Sequence, residues 1–455
     1  MPPGGPASLR RAAKPPAARA RGDAAGSTRA LVEALHPDGA AEADGDLVVA
    51  AGSSPSAVRR AAASLAEDGI AWVRIPPGAG SRVRRRVRRA GLRDAGAWLA
   101  WPPRAPRLLL PLGAPTPALA GGVLSQSRIV RAALRGRRLL APLLPGVGLV
   151  AQRPGARLPL AWLVETATDG PVVVAAGWHG AERGLVLHGP DRIVKTSRRS
   201  AARDLLAEAA ALDELGGTAR SAGARVPQVL YAGPAVRRVA LAEEALRGER
   251  AAEVLRARPE RLGDLLRLLC GWLERWHRLS RCRRALEPAD VERFLLAPAR
   301  AVAPFLDDGG AYLCRIERVA DGIRGRVVPF AAAHNDLTVW NVLVDEAAIG
   351  VVDWEAAEAE AVPLVDLDYL IVDAVAAARR VPRDEAFVRC SAGGADAGLA
   401  AGLRAGTMAR AGVDPDLGGL IRHVCWLGHA RNEAARAGPG AARPFLAIAS
   451  RLAPA

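Results

Sequence analysis

One run of thirteen residues constrains this chain more than any other stretch: Ala333-His334-Asn335-Asp336-Leu337-Thr338-Val339-Trp340-Asn341-Val342-Leu343-Val344-Asp345, followed by Val351-Val352-Asp353-Trp354-Glu355. It reads as a loop that carries chemistry with a metal-holding aspartate behind it. Asp336 and Asn341 stand in a D-x-x-x-x-N spacing, which puts a carboxylate and an amide oxygen on one loop. Asp353 arrives one short hairpin later, at the end of a strand, where a second oxygen ligand is needed. Oxygen donors of this kind suit a hard divalent cation. The chain has three asparagines, Asn335, Asn341 and Asn432, and two of them sit here.

A second cluster lies about 140 residues upstream. Val172-Val173-Val174, Leu185-Val186-Leu187 and Arg192-Ile193-Val194-Lys195 read as strands. Between the first two, Gly177 and Gly180 open a loop in which backbone N–H groups can approach a phosphate. The chain holds 61 arginines and two lysines, Lys14 and Lys195, so a lysine on the third strand has resisted a strong arginine bias. A helix over Ala201–Leu215 follows. Its apolar face holds Leu205, Leu206, Ala209, Leu212 and Leu215, and Glu208 lies one position from that face, with Glu214 as the competing acid. Val226–Tyr231 and Arg238–Ala242 complete a five-stranded sheet. Glu243-Glu244-Ala245-Leu246 then leaves it, and Glu244 marks the hinge segment. Leu262–Leu279 is amphipathic, with Leu265, Leu269, Trp272, Leu273 and Trp276 inward; His277 reads as a packed or capping residue.

The order glycine loop, strand lysine, helix glutamate, hinge, helical region, H-N-D-L-x-x-x-N-x-L-x-D and V-D-W-E resembles the aminoglycoside phosphotransferase and choline kinase families over about residues 160–440. The resemblance implies an α+β, two-lobed protein-kinase-like fold, with a small β-rich N-lobe (155–245) and a larger helical C-lobe (246–455). It implies ATP as donor, Mg2+ as cofactor and a small hydroxylated acceptor such as a sugar, an aminoglycoside or an amino alcohol. Asp336 is then the base at the acceptor hydroxyl, Asn341 and Asp353 the metal ligands. Lys195, Glu208, Gly177, Gly180 and Glu244 bind the nucleotide. His334 braces the loop, Asp345 caps the turn after it, and Asp366 resembles the aspartate that steadies the active-site loops. Glu355, Glu358 and Glu360 trail Asp353; in related enzymes acids near this point can meet cationic substrates, but here they read as a solvated acidic loop. Trp426, His429 and Asn432 are candidates for the acceptor side, against the plainer reading as core packing and surface polarity. The alternative is a kinase-fold regulatory or scaffold module that binds nucleotide with little catalysis.

The resemblance does not reach the front of the chain. Residues 1–150 hold 23 basic and 9 acidic residues, while 151–455 hold 40 and 38, so nearly all of the +16 net charge is at the front. Residues 1–30 read as a disordered basic tail. Residues 31–150 read as a small, basic α/β region, with strands at Leu47–Ala50, Ile70–Ile75, Ala97–Trp101 and Leu108–Leu112, and an arginine-rich helix over Arg82–Arg93. It weakly resembles the trailing half of a methyltransferase domain, but no G-x-G-x-x-G follows a strand. Its charge allows contact with an anionic partner. Residues 113–150, with a second basic helix near Arg128–Arg138, read as a connection. Five scattered cysteines form no C-x-x-C and read as reduced thiols in a cytoplasmic protein. No apolar run approaches the ~20 residues of a membrane span.

Overall fold

Apolar runs in the first half of the chain pair into a single sheet, and amphipathic helices in the second half close a separate core beneath it. The computed structural model describes residues 47–50, 52–101, 108–112, 147–156, 173–176, 184–198, 202–235, 238–346 and 348–452. Gly177, Gly180, the tail 1–30 and the helix expected near Arg128–Arg138 lie outside the described residues.

The sheet has ten strands: β1 (Leu47–Val49), β2 (Ile70–Arg74), β3 (Arg93–Trp101), β4 (Leu108–Pro111), β5 (Val147–Gln152), β6 (Val173–Ala176), β7 (Gly184–His188), β8 (Arg192–Arg198), β10 (Val229–Ala235) and β11 (Arg238–Glu244). Their order is β1-β2-β5-β3-β4-β6-β7-β8-β11-β10. The five strands expected at the front of the kinase-like part are present as β6-β7-β8-β11-β10. The sheet does not end there: β4 pairs with β6 through Leu108↔Ala175 and Leu109↔Val174.

In the front region β1 and β2 run parallel around helix α1 (Pro55–Ser64). Ser54 caps α1 by accepting from the Ala57 amide at 3.2 Å. Helix α2 spans Gly80–Arg89, shorter at its end than expected, because Arg93 already belongs to β3. Its two-residue apolar stripe suffices for docking: Val83 and Val87 are fully buried. Two of its arginines serve the fold, Arg84 in an ion pair with Asp94 and Arg86 donating to the Ser53 carbonyl at 2.6 Å. β5 lies where a connection was expected, between β2 and β3. Gly148 in β5 lies under the Trp72 indole, where an added Cβ would come within 2.1 Å of the ring.

Helix α3 (Arg203–Ser221) packs beside β8 and β11 and runs six residues past the expected end, through Gly216 and Gly217. The chain then crosses into the helical lobe through β12 (Glu249–Arg250), α4 (Ala251–Ala257) and α5 (Leu262–Ser280). On α5, Leu265, Leu269, Trp272, Leu273 and Trp276 are all buried. Trp272 stacks on Trp276 with ring centroids 5.1 Å apart, and Trp276 meets Trp354 edge-on at 5.4 Å. That aromatic line ties α5 to the residue directly after Asp353. Two small sheets lie here. β12, β15 (Val342–Asp345), β16 (Ala348–Val351) and β9 (Ala224–Arg225) form one; β13 (Cys282–Ala285), β14 (Val327–Ala333) and β17 (Glu358–Ala361) form the other. Five helices follow: α6 (Asp366–Arg379), α7 (Arg383–Arg389), α8 (Ala395–Ala411), α9 (Gly418–Ala437) and α10 (Pro439–Leu452). The two-lobed α+β architecture is therefore the one the sequence implies. All five cysteines are free thiols. No helix among the described residues is long and apolar enough to cross a membrane.

Candidate active site

The two clusters, far apart in sequence, meet at one nitrogen. β8 lies between β7 and β11, with Lys195 opposite Val186 and Leu241. Its Nζ is 2.6 Å from Glu208 Oε1, 3.2 Å from Glu243 Oε1 and 3.5 Å from Asp353 Oδ1. Glu208 has turned inward and is 1% exposed, whereas Glu214 is exposed. Glu208 Oε1 also accepts the Trp354 amide at 3.1 Å, so the front-lobe helix holds both the lysine and the segment behind Asp353.

Glu243 is the residue sequence reasoning passed over in favour of Glu244. Glu244 is exposed, its amide donating to the Gln228 carbonyl at 3.0 Å, while Glu243 is 1% exposed and faces Lys195. The signal was available. Side chains alternate along a strand, so the residue two after Leu241, the register partner of Lys195, shares its face. Burial pushes the Glu243 carboxyl up to about 7, against the pull of Lys195 and with a push from Glu208. Burial works against the Lys195 charge, but Glu243, Glu208 and Asp353 outweigh it and its pKa stands well above the ordinary value.

The catalytic-loop residues are held from below. Asp366, at the start of α6, accepts the His334 amide at 2.8 Å, and the amides of Asn335 and Leu337 lie near enough to favour its charge. Asp373, two turns on, accepts the Val339 amide at 3.1 Å. Asn335 adopts φ +59° and Asp353 φ +71°, left-handed conformations that short polar side chains tolerate. The Asn335 side chain donates to the Ala356 carbonyl at 3.0 Å and so ties the loop to the turn after Asp353. His334 is fully buried, and burial lowers its pKa to about 4. Its Nε2 lies 3.2 Å from the Val352 carbonyl, an acceptor, so Nε2 carries the proton and the ring braces the loop as a neutral group. Asp345, at the start of the turn it was expected to cap, pairs with Arg225 at 3.1 Å.

Asn341 donates through Nδ2 to the Asp336 carbonyl at 3.0 Å and to Asp336 Oδ2 at 3.1 Å. Both partners accept, which fixes the amide orientation and leaves Oδ1 on its other side. Burial, then the charge of Asp353, pushes the Asp336 carboxyl up to about 7. Among the described residues no group of three or more His, Cys, Asp or Glu side chains could hold a metal by itself. The Asn341 amide oxygen and the half-exposed Asp353 carboxylate fit a divalent cation that takes its remaining ligands from phosphate and water. Arg250, a cation not singled out from sequence, is anchored to the Trp340 carbonyl at 2.7 Å and lies within reach of the Asp353 charge.

Residues 173–393 match the model of the family described as "Phosphotransferase enzyme family". A search of curated proteins found no significant match. Several solved structures are similar. One is an aminoglycoside phosphotransferase, APH(3'')-Id from Streptomyces rimosus, at 18% identity and TM-score 0.40, covering 63% of this chain and 97% of that one. A choline/ethanolamine kinase family protein from Mesorhizobium loti is 20% identical at TM-score 0.38, covering 64% and 90%. A glucosamine kinase is 16% identical at TM-score 0.36, covering 65% and 83%.

Proposed function

Residues 173–393 are those of a phosphotransferase-family enzyme, and on that premise we propose that the chain transfers the γ-phosphate of ATP, bound with Mg2+, to a hydroxyl of a small molecule. The observation that carries the reading is the meeting at Lys195: a strand lysine held by a buried helix glutamate and facing an aspartate of the opposite lobe at 3.5 Å. An ammonium so held is a point charge for nucleotide phosphates.

The geometry supports these roles. Lys195 holds the donor phosphates, and Glu208 keeps it in place. Asp336 lies on the same loop as Asn341 and orients the acceptor hydroxyl, taking its proton as the phosphoryl group arrives. Asn341 and Asp353 hold Mg2+, which when bound supplies positive charge to phosphate oxygens and offsets the surplus of carboxylates here. The segment around Glu244 we assign to the border of the base; phosphate contact by Gly177 and Gly180, outside the described residues, stays a reading of the sequence. A cytoplasmic setting suits a kinase that draws on ATP.

The test is transfer of labelled γ-phosphate to a panel of hydroxylated acceptors, with and without Mg2+. Asp336→Ala is expected to lower kcat by roughly 10²–10⁴-fold while circular dichroism and ATP binding stay those of the parent. Undiminished transfer by that variant would remove Asp336 as the base.

A further inference from the structure

The helical side of Asp336 carries a fixed cation. Asp373 accepts the Val339 amide through Oδ2 and, through Oδ1, accepts from Arg383 Nη2 at 2.7 Å. Arg383, the first residue of α7, is thus joined to the catalytic loop through one carboxylate. Its guanidinium lies 4.9 Å from the centroid of the Tyr369 ring and 5.2 Å from that of Phe445. Tyr369 in turn stacks on His429 at 3.7 Å. Burial lowers the His429 pKa to about 3, with Arg383 adding to the effect, so the histidine brings no charge of its own. Burial works against the Arg383 charge as well, but Tyr369, Asp373 and Asp336 outweigh it. The arginine is held on its faces and one edge. Its Nε has no hydrogen-bond partner, and 27% of the side chain remains exposed.

The acids available to receive a cationic acceptor are engaged elsewhere. Glu358 pairs with Arg293 at 2.8 Å, and Glu360 with Arg284 at 3.0 Å. Asp373 is taken up by Val339 and Arg383. Of the carboxylates whose charge reaches Asp336, this leaves Asp353, which faces Lys195, and the exposed Glu355, whose acidic neighbours are Asp353, Glu208 and Asp204 on the nucleotide side.

We propose that Arg383 is a specificity-determining residue on the acceptor side, and that the acceptor carries a carboxylate or phosphate beside its reacting hydroxyl, not ammonium groups. The Nε is buried, but the solvent-facing part of this pre-oriented guanidinium forms charge-assisted hydrogen bonds with such an oxyanion. An ammonium in the same place would meet a like charge. The inference rests on the kinase reading above and narrows it to one class of acceptor.

Matched acceptors test it: an amino sugar, the neutral sugar and the sugar acid, together with an amino alcohol, a diol and a hydroxy acid. The expected result is a kcat/KM at least about tenfold higher for the acids than for their neutral or amino counterparts. Arg383→Gln should lower kcat/KM for the acids roughly 10–100-fold, the range for losing hydrogen bonds to a charged group, mainly through KM. Because Arg383 also pairs with Asp373 beneath the loop, part of the fall is shared by all acceptors; the reading is the ratio, with the acids losing at least about tenfold more than the neutral acceptors, and Arg383→Lys should recover part of that difference. Preference for amino or neutral acceptors, or an equal fall for all three classes in Arg383→Gln, overturns the inference and leaves the kinase reading standing. Absence of Mg-ATP-dependent transfer to any acceptor overturns the kinase reading, and this inference with it.

Discussion

Lys195 stands among three carboxylates, and the one that sequence reasoning did not select behaves least like an ordinary ion-pair partner. Glu243 is 1% exposed, its Oε2 has no hydrogen-bond partner, and its carboxyl is pushed up to about 7 from 4.5. A carboxyl whose folded pKa exceeds its unfolded one binds more protons in the native state between those two values. Stability therefore falls as pH rises from about 4.5 to about 7, and the cost is fully present above that window. Glu243→Gln is expected to stabilise the nucleotide-free protein by about 1–3 kcal/mol at pH 8, since a tenfold change in proton affinity is worth about 1.4 kcal/mol, and to do little at pH 4.5. Lys195 keeps Glu208 and Asp353 as partners in that variant. Urea denaturation at the two pH values measures the difference, and a variant less stable than the parent at pH 8 would contradict the sign. Burial pushes the Glu208 carboxyl up as well, but unlike Glu243 it accepts from both Lys195 and the Trp354 amide, so Glu208→Gln is expected to show itself chiefly as a raised KM for ATP, measured by nucleotide titration of the variant.

At the scale of elements, α6 is the support of the catalytic loop. Asp366 takes the His334 amide and Asp373 the Val339 amide. Asp366→Ala strands the buried His334 donor, at about 1–3 kcal/mol. A loss of about that size in denaturant stability and of most activity is expected, with Asp366→Asn intermediate. Near-parental stability of the alanine variant would mean that the loop holds itself. This support was readable from the Pro363–Asp368 run because position and residue type agree there. Other elements were less legible, for physical reasons. Gly216-Gly217 looks like a helix stop, yet α3 continues to Ser221, because Leu215, Gly216 and Ala219 are buried and tertiary contact overrides propensity. β5 was hidden by the glycines and prolines before it: all six residues of Val147–Gln152 are buried, so the run has no alternation to betray a strand. Helix α5, with a one-sided apolar face, was legible almost to the residue.

For the whole molecule, the boundary that composition places near residue 150 is crossed by hydrogen bonds. The basic front region and the kinase-like front lobe share one sheet, and their seam is the short β4–β6 pairing at Leu108↔Ala175 and Leu109↔Val174. No motif marks such a seam, since strand pairing between distant segments leaves no local pattern, whereas the catalytic loop is local and announces itself. The seam has a consequence. Without β4, strand β6 becomes an exposed edge with unpaired backbone groups, a template for association. A chain reduced to residues 157–455 should therefore self-associate on size exclusion and unfold several degrees below the full chain. If the shared sheet couples the two regions, calorimetry of the full chain should give one transition with calorimetric and van't Hoff enthalpies in agreement. A monomeric 157–455 chain with an unchanged midpoint, or two resolved transitions in the full chain, would mean that the β4–β6 pairing contributes no coupling. The front region would then be an attached domain whose own core, around Val58, Val73, Val83 and Leu149, is sufficient.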